Sequence, residues 1–303
     1  MDLSIIILNY NSADYLKKCL ESISKSDFGK YSFEIIVVDN NSTDNSINQA
    51  KTVKILNTKY LILNTNKGFA HGNNQGVKVS NPKSKYVLFL NPDTLVKKDT
   101  LKKMINFFNQ DKKVDAATCQ IDLVLTKKMQ PECHRGFPTP WRSFCYFSGL
   151  TNIFPTSKLF SGYFLGYLDK TVSHQIEACV GAFLMVKRNV GQKIGWWNEK
   201  YFFYGEDLDF CWQLKQHQYN LFFYPDAKID HFQGISSGII NKSKRLSSAS
   251  RQTKIKIAKA STQAMKIFYQ ENLLKNYNFL TRFIVIQGIN LLTVYRIFKA
   301  KYL

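Results

Sequence analysis

Short apolar runs alternate with amphipathic segments through the first 120 residues. Four runs are almost continuously aliphatic or aromatic, at residues 3–9, 33–39, 60–64 and 86–91. Parallel strands that are covered on both faces have this pattern, because neither face meets water. The first run is followed by apolar residues at helical spacing, namely Tyr15, Leu16, Cys19, Leu20 and Ile23. The alternation predicts β-α-β units and hence a doubly wound, mostly parallel sheet with flanking helices.

Short polar residues mark the expected starts of the first two helices. We expect Ser12 to cap the first helix, and Ser42, Thr43 and Asp44 to open the second.

Polar residues also gather where the four apolar runs end. The ends carry Asn9, Asp39, Asn64 to Lys67, and Asn91 with Asp93. Ligands of doubly wound sheets bind beyond the carboxyl ends of the strands. Any one of these ends can be an ordinary turn, since Asn, Asp and Ser are common turn residues. Four such ends at one edge favour a ligand site.

The first strand is not followed by a Gly-x-Gly-x-x-Gly loop, which argues against a dinucleotide-binding Rossmann fold. The sequence also has no P-loop lysine to hold phosphates. A divalent cation that bridges phosphate oxygens is a natural substitute, and Asp93 follows a strand where it could bind one. Pro92 restricts the backbone before Asp93, so the direction of this carboxylate is set in advance.

Composition suits one large α/β domain or a domain with an appendage, with 303 residues and 45% apolar content. The net charge of +20 is concentrated in residues 241–303, which hold 13 Lys or Arg against one acid, Glu271. Such a segment can meet nucleic acid, anionic lipid or a phosphorylated substrate. Residues 1–240 contain no nucleic-acid recognition motif, so we expect no nucleic-acid partner.

Six scattered cysteines without a Cys-x-x-Cys pair favour reduced thiols in a cytoplasmic protein. The N-terminal residues have no basic leader, and we expect no secretion signal there.

Six blocks in order carry a family resemblance across residues 3–237. They are VVDNNSTDNS (37–46), NKGFAHGNNQG (66–76), FLNPDT (89–94), VGAFLMVKR (180–188), IGWWNEKYFFYGEDLDFCWQL (194–214) and YPDAKIDHFQGIS (224–236). The chain resembles the inverting family 2 glycosyltransferases, which have the GT-A nucleotide-diphospho-sugar transferase fold. It looks most like the rhamnosyltransferase-like branch of bacterial surface polysaccharide biosynthesis, in which Asn-Pro-Asp replaces the usual Asp-x-Asp.

The resemblance implies a nucleotide-binding set at the strand ends and the turn before the third helix: Asn9, Asp39, Asn66, Lys67, Gly68 and Asn91. It also places Ala70, Gly72 and Asn74 beside the donor sugar, where a helix N-terminus would favour an anion. The small residues can equally serve to pack this helix closely on the sheet.

The resemblance makes Asp93 and His231 the ligands of a divalent cation, Mg²⁺ or Mn²⁺. Asn91 departs from the family's more common leading acid, which leaves a site with two carboxylates in doubt. His231 can also be an ordinary packed or surface histidine.

In the block GEDLDFCW, Asp207 matches the general base that deprotonates the acceptor hydroxyl, and Glu206 beside it is a candidate contact to the donor sugar or the acceptor. Acids at a helix N-terminus can instead only stabilise the helix dipole. Among the aromatic residues 196–204, Trp197 is the first candidate for a sugar-stacking ring, although most of these rings are expected in the core. Residues 121–177 are interpreted as a mobile loop region, in which Arg135 and Arg142 could meet phosphate.

We therefore expect a catalytic domain at 1–240, with a nucleotide-binding half at 1–120 and an acceptor-binding half at 121–240. Residues 241–303 would form a basic, amphipathic helical extension. Its apolar segment 279–298 has only 13 uncharged residues between Arg282 and Arg296, short of the roughly 17 that a membrane span needs. An interfacial helix at the inner face of the cell membrane, with cations such as Lys242, Lys244 and Arg245 on anionic lipid, is one expectation. Docking on the catalytic domain or in a homodimer is another.

Three functions remain open at this point. The favoured one transfers rhamnose from dTDP-rhamnose to a saccharide or lipid-linked glycan acceptor. The second is another hexosyl, galactofuranosyl or N-acetylhexosaminyl transferase that uses a UDP-sugar. The third is a non-catalytic sugar-nucleotide or glycan-binding subunit.

Overall fold

The computed structural model describes residues 1–233 and 251–302, so Lys242, Lys244 and Arg245 lie outside the described residues. The strands are β1 Leu3–Asn9, β2 Phe33–Asp39, β3 Thr58–Ile62, β4 Tyr86–Leu90, β5 Thr94–Val96, β6 Ala116–Leu123, β7 His174–Ile176, β8 Phe183–Lys187 and β9 Leu221–His231. The α-helices are α1 Tyr15–Ser24, α2 Ser46–Lys51, α3 Phe69–Val79, α4 Thr100–Gln110, α5 Pro140–Phe147, α6 Leu150–Ile153, α7 Arg188–Ile194, α8 Glu206–Gln216, α9 Arg251–Phe268 and α10 Phe279–Tyr302.

One sheet contains these nine strands, in the order β3-β2-β1-β4-β8-β6-β9-β5, with β7 paired to β9. The first four are parallel, whereas β8 runs antiparallel to both β4 and β6. Flanking helices cover the sheet, and the predicted α/β class is confirmed. Because β1, β2 and β4 end at the same edge, their terminal polar residues meet there.

The parallel strands form because their side chains are buried on both faces. Ile5, Ile35 and Leu88 are fully buried at paired positions of β1, β2 and β4. Helix α3 lies directly on β1: a β-carbon at Gly72 would come within 2.3 Å of the Leu8 side chain. This close approach fixes the start of α3 relative to the strand ends.

The expected helix starts are only partly correct. Ser12 does not cap α1, which begins at Tyr15; its hydroxyl instead donates to Asn9 Oδ1. The hydroxyl is drawn away because the buried Asn9 side chain offers an acceptor close by. Helix α2 begins at Ser46, whose backbone N–H donates to Asp44 at 3.1 Å.

Residues 121–177 contain regular structure rather than a single loop. They include the end of β6, helices α5 and α6, and β7. Arg142 donates to both carboxylate oxygens of Glu177, at 2.6 and 2.8 Å, and this fixes α5 beside β7. The interpretation of residues 121–177 as a loop region is therefore wrong where they form β6, α5, α6 and β7.

The C-terminal helices pack on the rest of the chain. Phe268 at the end of α9 is almost fully buried and contacts the rings of Phe137 and Trp212. Helix α10 lies along α9, and Arg296 Nη1 donates to Ser261 Oγ at 2.9 Å. The division at residue 240 stays a prediction.

Helix α10 is apolar but little buried. By length and composition alone, its segment Phe279–Lys301 could cross a membrane, with a mean hydropathy of 1.3. The positions of Arg282 and Arg296 predict an interfacial location instead. Ile289 packs inward, while residues such as Phe279, Leu280 and Leu291 are exposed.

Candidate active site

A buried hydrogen-bond cluster connects the ends of β1 and β2. Asn9 Nδ2 donates to Asp39 Oδ1 at 2.7 Å and lies 3.0 and 2.9 Å from the hydroxyls of Ser42 and Ser46. Asp39 also accepts from the backbone N–H and the hydroxyl of Ser42. Both predicted nucleotide residues are thus together, with Asn9 orienting the carboxylate of Asp39.

The turn before α3 is shaped by Asn66 and Gly68. Asn66 Oδ1 accepts from Asn40 Nδ2 at 2.8 Å and from the Gly68 backbone at 2.9 Å. Gly68 has φ of +99°, and a β-carbon there would lie 2.4 Å from the carbonyl oxygen of Phe202. Only glycine fits this position. Lys67 is exposed beside the turn and is free to reach a phosphate.

The predicted donor-sugar residues on α3 have structural roles. Ala70 and Gly72 are buried at the packing surface between α3 and the sheet, which removes them from contact with a sugar. Asn74 donates to the Trp197 carbonyl and to Glu199, both at 2.9 Å, and accepts from the Trp197 backbone N–H. The hydrogen-bonding groups of Asn74 already contact the protein. The prediction that Ala70, Gly72 and Asn74 contact the sugar is therefore corrected.

Asp93 and His231 lie together beyond the end of β4. Strand β5 starts one residue after Asp93 and pairs with the end of β9, in a register that places Thr94 opposite His231. Asp93 Oδ1 is 3.1 Å from His231 Nε2. The other ring nitrogen, Nδ1, is 2.8 Å from Gln130 Oε1.

The nitrogen and oxygen atoms of the His231–Asp93 pair are suitable ligands for a divalent cation. An amide oxygen only accepts, so Gln130 Oε1 requires a proton on His231 Nδ1. A ring with its one proton on Nδ1 presents the Nε2 lone pair towards the Asp93 carboxylate oxygen, so the two atoms can both face a cation. A cation bound by both satisfies them, and the Gln130 contact is the usual outer support of a metal-binding histidine.

Further protein ligands of the same kind are missing nearby. Within residues 1–233 and 251–302, no group of three or more His, Cys, Asp or Glu side chains could hold a metal ion. Asn91 supplies an amide and no carboxylate, and its backbone N–H donates to Ala182 at 3.0 Å. A bound diphosphate and water would have to complete the coordination.

Asp207 is the second residue of α8 and pairs with Arg135, with 2.7 Å between Asp207 Oδ2 and Arg135 Nη2. Both side chains are largely buried. Burial by itself lowers the pKa of Arg135, but the charge of Asp207, together with Tyr163, Glu132 and Cys211, raises that pKa above its ordinary value. Arg135 is thus a permanent cation beside the candidate base.

The neighbouring acids of α8 differ in environment. Glu206 is buried, and this burial, followed by the charge on Asp207, raises its pKa to about 8. One of its carboxylate oxygens, Oε2, has no hydrogen-bond partner in the described chain. Asp209 is also buried and accepts from Asn272 at 2.9 Å. Glu206 is therefore largely protonated at neutral pH, so Asp207 is the better base, and Glu206 is too enclosed for the predicted substrate contact.

A short segment connects the base to the strand end that carries Asp93. Arg135 forms an antiparallel bridge with Ala178, and Asn91 bonds to Ala182. The chain from Ala178 to Ala182 advances by four residues, which span at most about 14 Å when extended. The Arg135–Asp207 pair and the end of β4 consequently border the same region.

Trp197 is not available to a sugar. It is only 2% exposed and packs against Phe69, Phe89 and Phe210. The most exposed aromatic ring among residues 196–204 is Phe202, at 45%. We correct the candidate accordingly.

Residues 4–175, more than half of the chain, match the model of glycosyl transferase family 2. The chain belongs to this family.

Similarity to individual proteins is moderate. The family 2 chain is 35% identical over 111 residues to poly(ribitol-phosphate) beta-N-acetylglucosaminyltransferase TarS of Staphylococcus aureus, covering 36% of this chain and 19% of TarS. It is 28% identical over 240 residues to rhamnosyltransferase WbbL of Escherichia coli, covering 75% and 82% of the two chains. The structure of mannosyltransferase PcManGT from Pyrobaculum calidifontis, in complex with GDP-Man and Mn²⁺, has a TM-score of 0.56 and 15% identity. It covers 98% of this chain and 72% of PcManGT, and it supports the fold alone.

Two residues of this family 2 site were missed or misjudged from the sequence. Arg135 was taken as a phosphate contact or a loop residue, whereas it pairs with an acid 72 residues away. Gln130, the partner of His231, was not identified, and no local pattern marks it. The Gln130 contact depends on how β6 and β9 align, and that register is not readable from spacing.

Proposed function

We propose that the protein is a metal-dependent, inverting glycosyltransferase that uses a nucleotide-diphospho-sugar donor. The observation that carries the proposal is the pairing of two sites across one region, with Asp93 and His231 beyond β4 and the Arg135-bound Asp207 at the start of α8. Separate groups for the leaving diphosphate and for the incoming hydroxyl are what a single displacement needs.

In the proposed step, Asp207 takes the proton of an acceptor hydroxyl. The acceptor oxygen forms a bond to the anomeric carbon on the face opposite the diphosphate, and the bond from that carbon to the diphosphate oxygen breaks. The configuration at the anomeric carbon therefore inverts. Mg²⁺ or Mn²⁺, held by Asp93 and His231, would neutralise charge on the departing diphosphate.

Nucleotide binding is proposed at the other strand ends. Asp39, oriented by Asn9, can accept from a base or ribose, and Lys67 can pair with a phosphate. Helix α3 begins directly after Gly68, so the dipole at its N-terminus would favour the negative charge of the same ligand.

The donor sugar is proposed to be rhamnose from dTDP-rhamnose. The similarity to WbbL, which is named a rhamnosyltransferase, extends over most of both chains, and this favours rhamnose over the alternatives. TarS, named an N-acetylglucosaminyltransferase, keeps a UDP-sugar as the second candidate. The proposed acceptor is a saccharide or lipid-linked glycan of bacterial surface polysaccharide.

A peripheral location on the inner face of the cell membrane is part of the proposal, with residues 241–303 as the contact. The basic composition of this segment and the exposed apolar side of α10 support it. Homodimerisation through α10 is the alternative.

Transfer assays test this function. Purified protein with dTDP-rhamnose, or with a UDP-sugar panel, should release nucleoside diphosphate in the presence of an acceptor and Mn²⁺. EDTA should abolish release, and the product linkage, read by NMR, should be inverted relative to the donor. Release by no donor, or full turnover in EDTA, would contradict the proposal and favour a non-catalytic binding subunit.

A further inference from the structure

A second exposed apolar surface lies outside the C-terminal segment, in residues 140–160, here called the aromatic hairpin. It contains α5, α6 and the following turn. Six of its large apolar side chains are 46–66% exposed: Trp141, Phe144, Phe147, Ile153, Phe154 and Leu159. Isolated exposed apolar residues are ordinary, but a cluster of this size within twenty residues indicates an interaction surface.

The hairpin presents these side chains from a rigid support. Trp141, Phe144 and Phe147 follow each other at three-residue spacing, which places them along one side of α5. Arg142 is held by Glu177, and Ser143 Oγ is 2.9 Å from the Tyr269 hydroxyl. The Trp141 indole N–H donates to the Leu159 carbonyl at 2.9 Å, so the two ends of the hairpin are tied together.

The hairpin is bonded to the segment that leads into the apolar helix α10. Tyr269 bonds to Ser143 and to the Pro138 carbonyl, and α10 starts ten residues later in the chain. Helix α10 carries its own exposed apolar residues: Phe279, Leu280, Phe283, Ile284, Leu291 and Val294. At 100° per residue these fall within one arc of the helix surface. Two apolar surfaces are therefore joined through one segment.

Composition and charge identify the occupant as a lipid surface. Trp and Phe side chains favour the interface between water and acyl chains, where both the ring and its polar edge are accommodated. Residues 241–303 add 13 basic residues and one acid, which suits an anionic headgroup layer. Two copies of a chain with net charge +20 repel each other, which disfavours a second copy on this face.

We propose that the aromatic hairpin inserts shallowly into an anionic membrane surface, as a second docking element beside α10. This contact would be a further attachment point at the proposed membrane location. Its biological purpose rests on the proposed function. Its physical test is independent, because vesicle binding needs neither donor nor acceptor.

The test uses the full chain and vesicles of phosphatidylcholine, with or without phosphatidylglycerol. Phe144→Glu combined with Phe147→Glu should lower the partition onto the phosphatidylglycerol vesicles by about tenfold or more. The matched control, Leu56→Glu combined with Ile62→Glu, changes exposed apolar residues near the edge strand β3 and should partition like wild type. Brominated lipid should quench Trp fluorescence, and Trp141→Phe should remove most of that quenching.

Nucleotide binding separates this inference from the proposed function. A hairpin variant that loses vesicle binding but still binds nucleoside diphosphate is folded, and it supports the inference. Unchanged vesicle binding in the Phe144 and Phe147 double variant overturns it, whatever the transfer assay gives. A wild-type dimer in lipid-free solution that becomes monomeric in this variant also overturns it, since the face is then an interface between copies.

Discussion

Arg135 sets the charge distribution among the acids at the start of α8. Its guanidinium bonds to Asp207 in a pair whose side chains are 10% and 15% exposed. Glu206, next in the chain, has no such partner and a raised pKa. One cation thus distinguishes two adjacent carboxyl groups, and the one paired with it is the proposed base.

Replacing Arg135 should lower the rate of transfer. In Arg135→Met, Asp207 loses the guanidinium that holds its carboxylate in place, so we expect turnover near pH 7 to fall by about 100-fold or more. Arg135→Lys keeps a cation and should recover part of the loss. Wild-type turnover in Arg135→Met would contradict this role.

Glu206 should make stability decrease with rising pH. Its pKa is raised in the folded state, so between about pH 5 and pH 8 the unfolded chain loses this proton while the folded chain keeps it. The free energy of unfolding should therefore fall by up to about 1.4 kcal/mol per pH unit in this window. Urea unfolding of Glu206→Gln should show a flatter dependence. Asp226→Asn, on an exposed position of β9, is the control and should behave like wild type.

At the scale of elements, Gly68 connects α3 to the segment before α8. The Phe69 backbone N–H donates to the Phe202 carbonyl at 3.0 Å, and the positive φ of Gly68 permits this approach. The same turn carries the proposed phosphate contact of Lys67. Stability and donor binding therefore depend on one backbone conformation.

Gly68→Ala should cost about 1–3 kcal/mol of stability and weaken nucleotide binding, because a β-carbon would collide with the Phe202 carbonyl. Gly288→Ala is the matched control, since nothing lies within 4 Å of the added carbon in α10. That change should leave stability equal or improve it by up to about 1 kcal/mol. Thermal unfolding with and without UDP measures both effects, and an unaffected Gly68→Ala protein would refute this account of the turn.

The sequence predicted the parallel half of the fold well. The bounds of β1 and β2 match the apolar runs, because strands buried on both faces leave an unbroken pattern. β3 begins two residues before the predicted run, because its residues are only half-buried at the sheet edge and the apolar pattern marks its start poorly. The antiparallel strand β8 inserts between β4 and β6 by a long-range pairing that no local pattern shows.

The positions of the candidate residues were predictable where a motif coincides with the end of a strand, as at Asp39 and Asp93, or with the start of a helix, as at Asp207, and their roles stay predictions. The site was not predictable where a residue's role depends on whether its side chain is buried. Trp197 and Phe202 are both aromatic residues of one motif, yet one is in the core and the other exposed. Only the path of the chain between α7 and α8 distinguishes them.

For the whole molecule, the C-terminal helices are joined to the main core. Ala264, Phe268 and Tyr269 belong to the same buried cluster as the sheet. Lys256 also lies 5.5 Å from the ring of Phe202, next to the proposed site. The extension should therefore contribute to the stability of the entire protein.

Phe268→Ala should destabilise the chain by about 3–5 kcal/mol, because the ring fills a space between Phe137 and Trp212. Unfolding followed by tryptophan fluorescence and by far-UV circular dichroism should give one common, shifted transition. Phe279→Ala removes a ring that is 83% exposed and should change stability by less than about 0.5 kcal/mol. Loss of helical signal alone, with the fluorescence transition unchanged, would instead identify residues 251–302 as an independent unit.

The most direct test of the central claim is calorimetric titration of Mn²⁺ with dTDP or UDP into the full chain. The account predicts metal-dependent nucleotide binding in the wild type and in Asp207→Asn, which should nevertheless lose sugar transfer. Asp93→Asn and His231→Gln should each weaken that binding by about tenfold or more, since each removes a ligand of the cation. Equal metal-dependent binding in wild type, Asp93→Asn and His231→Gln would contradict the account.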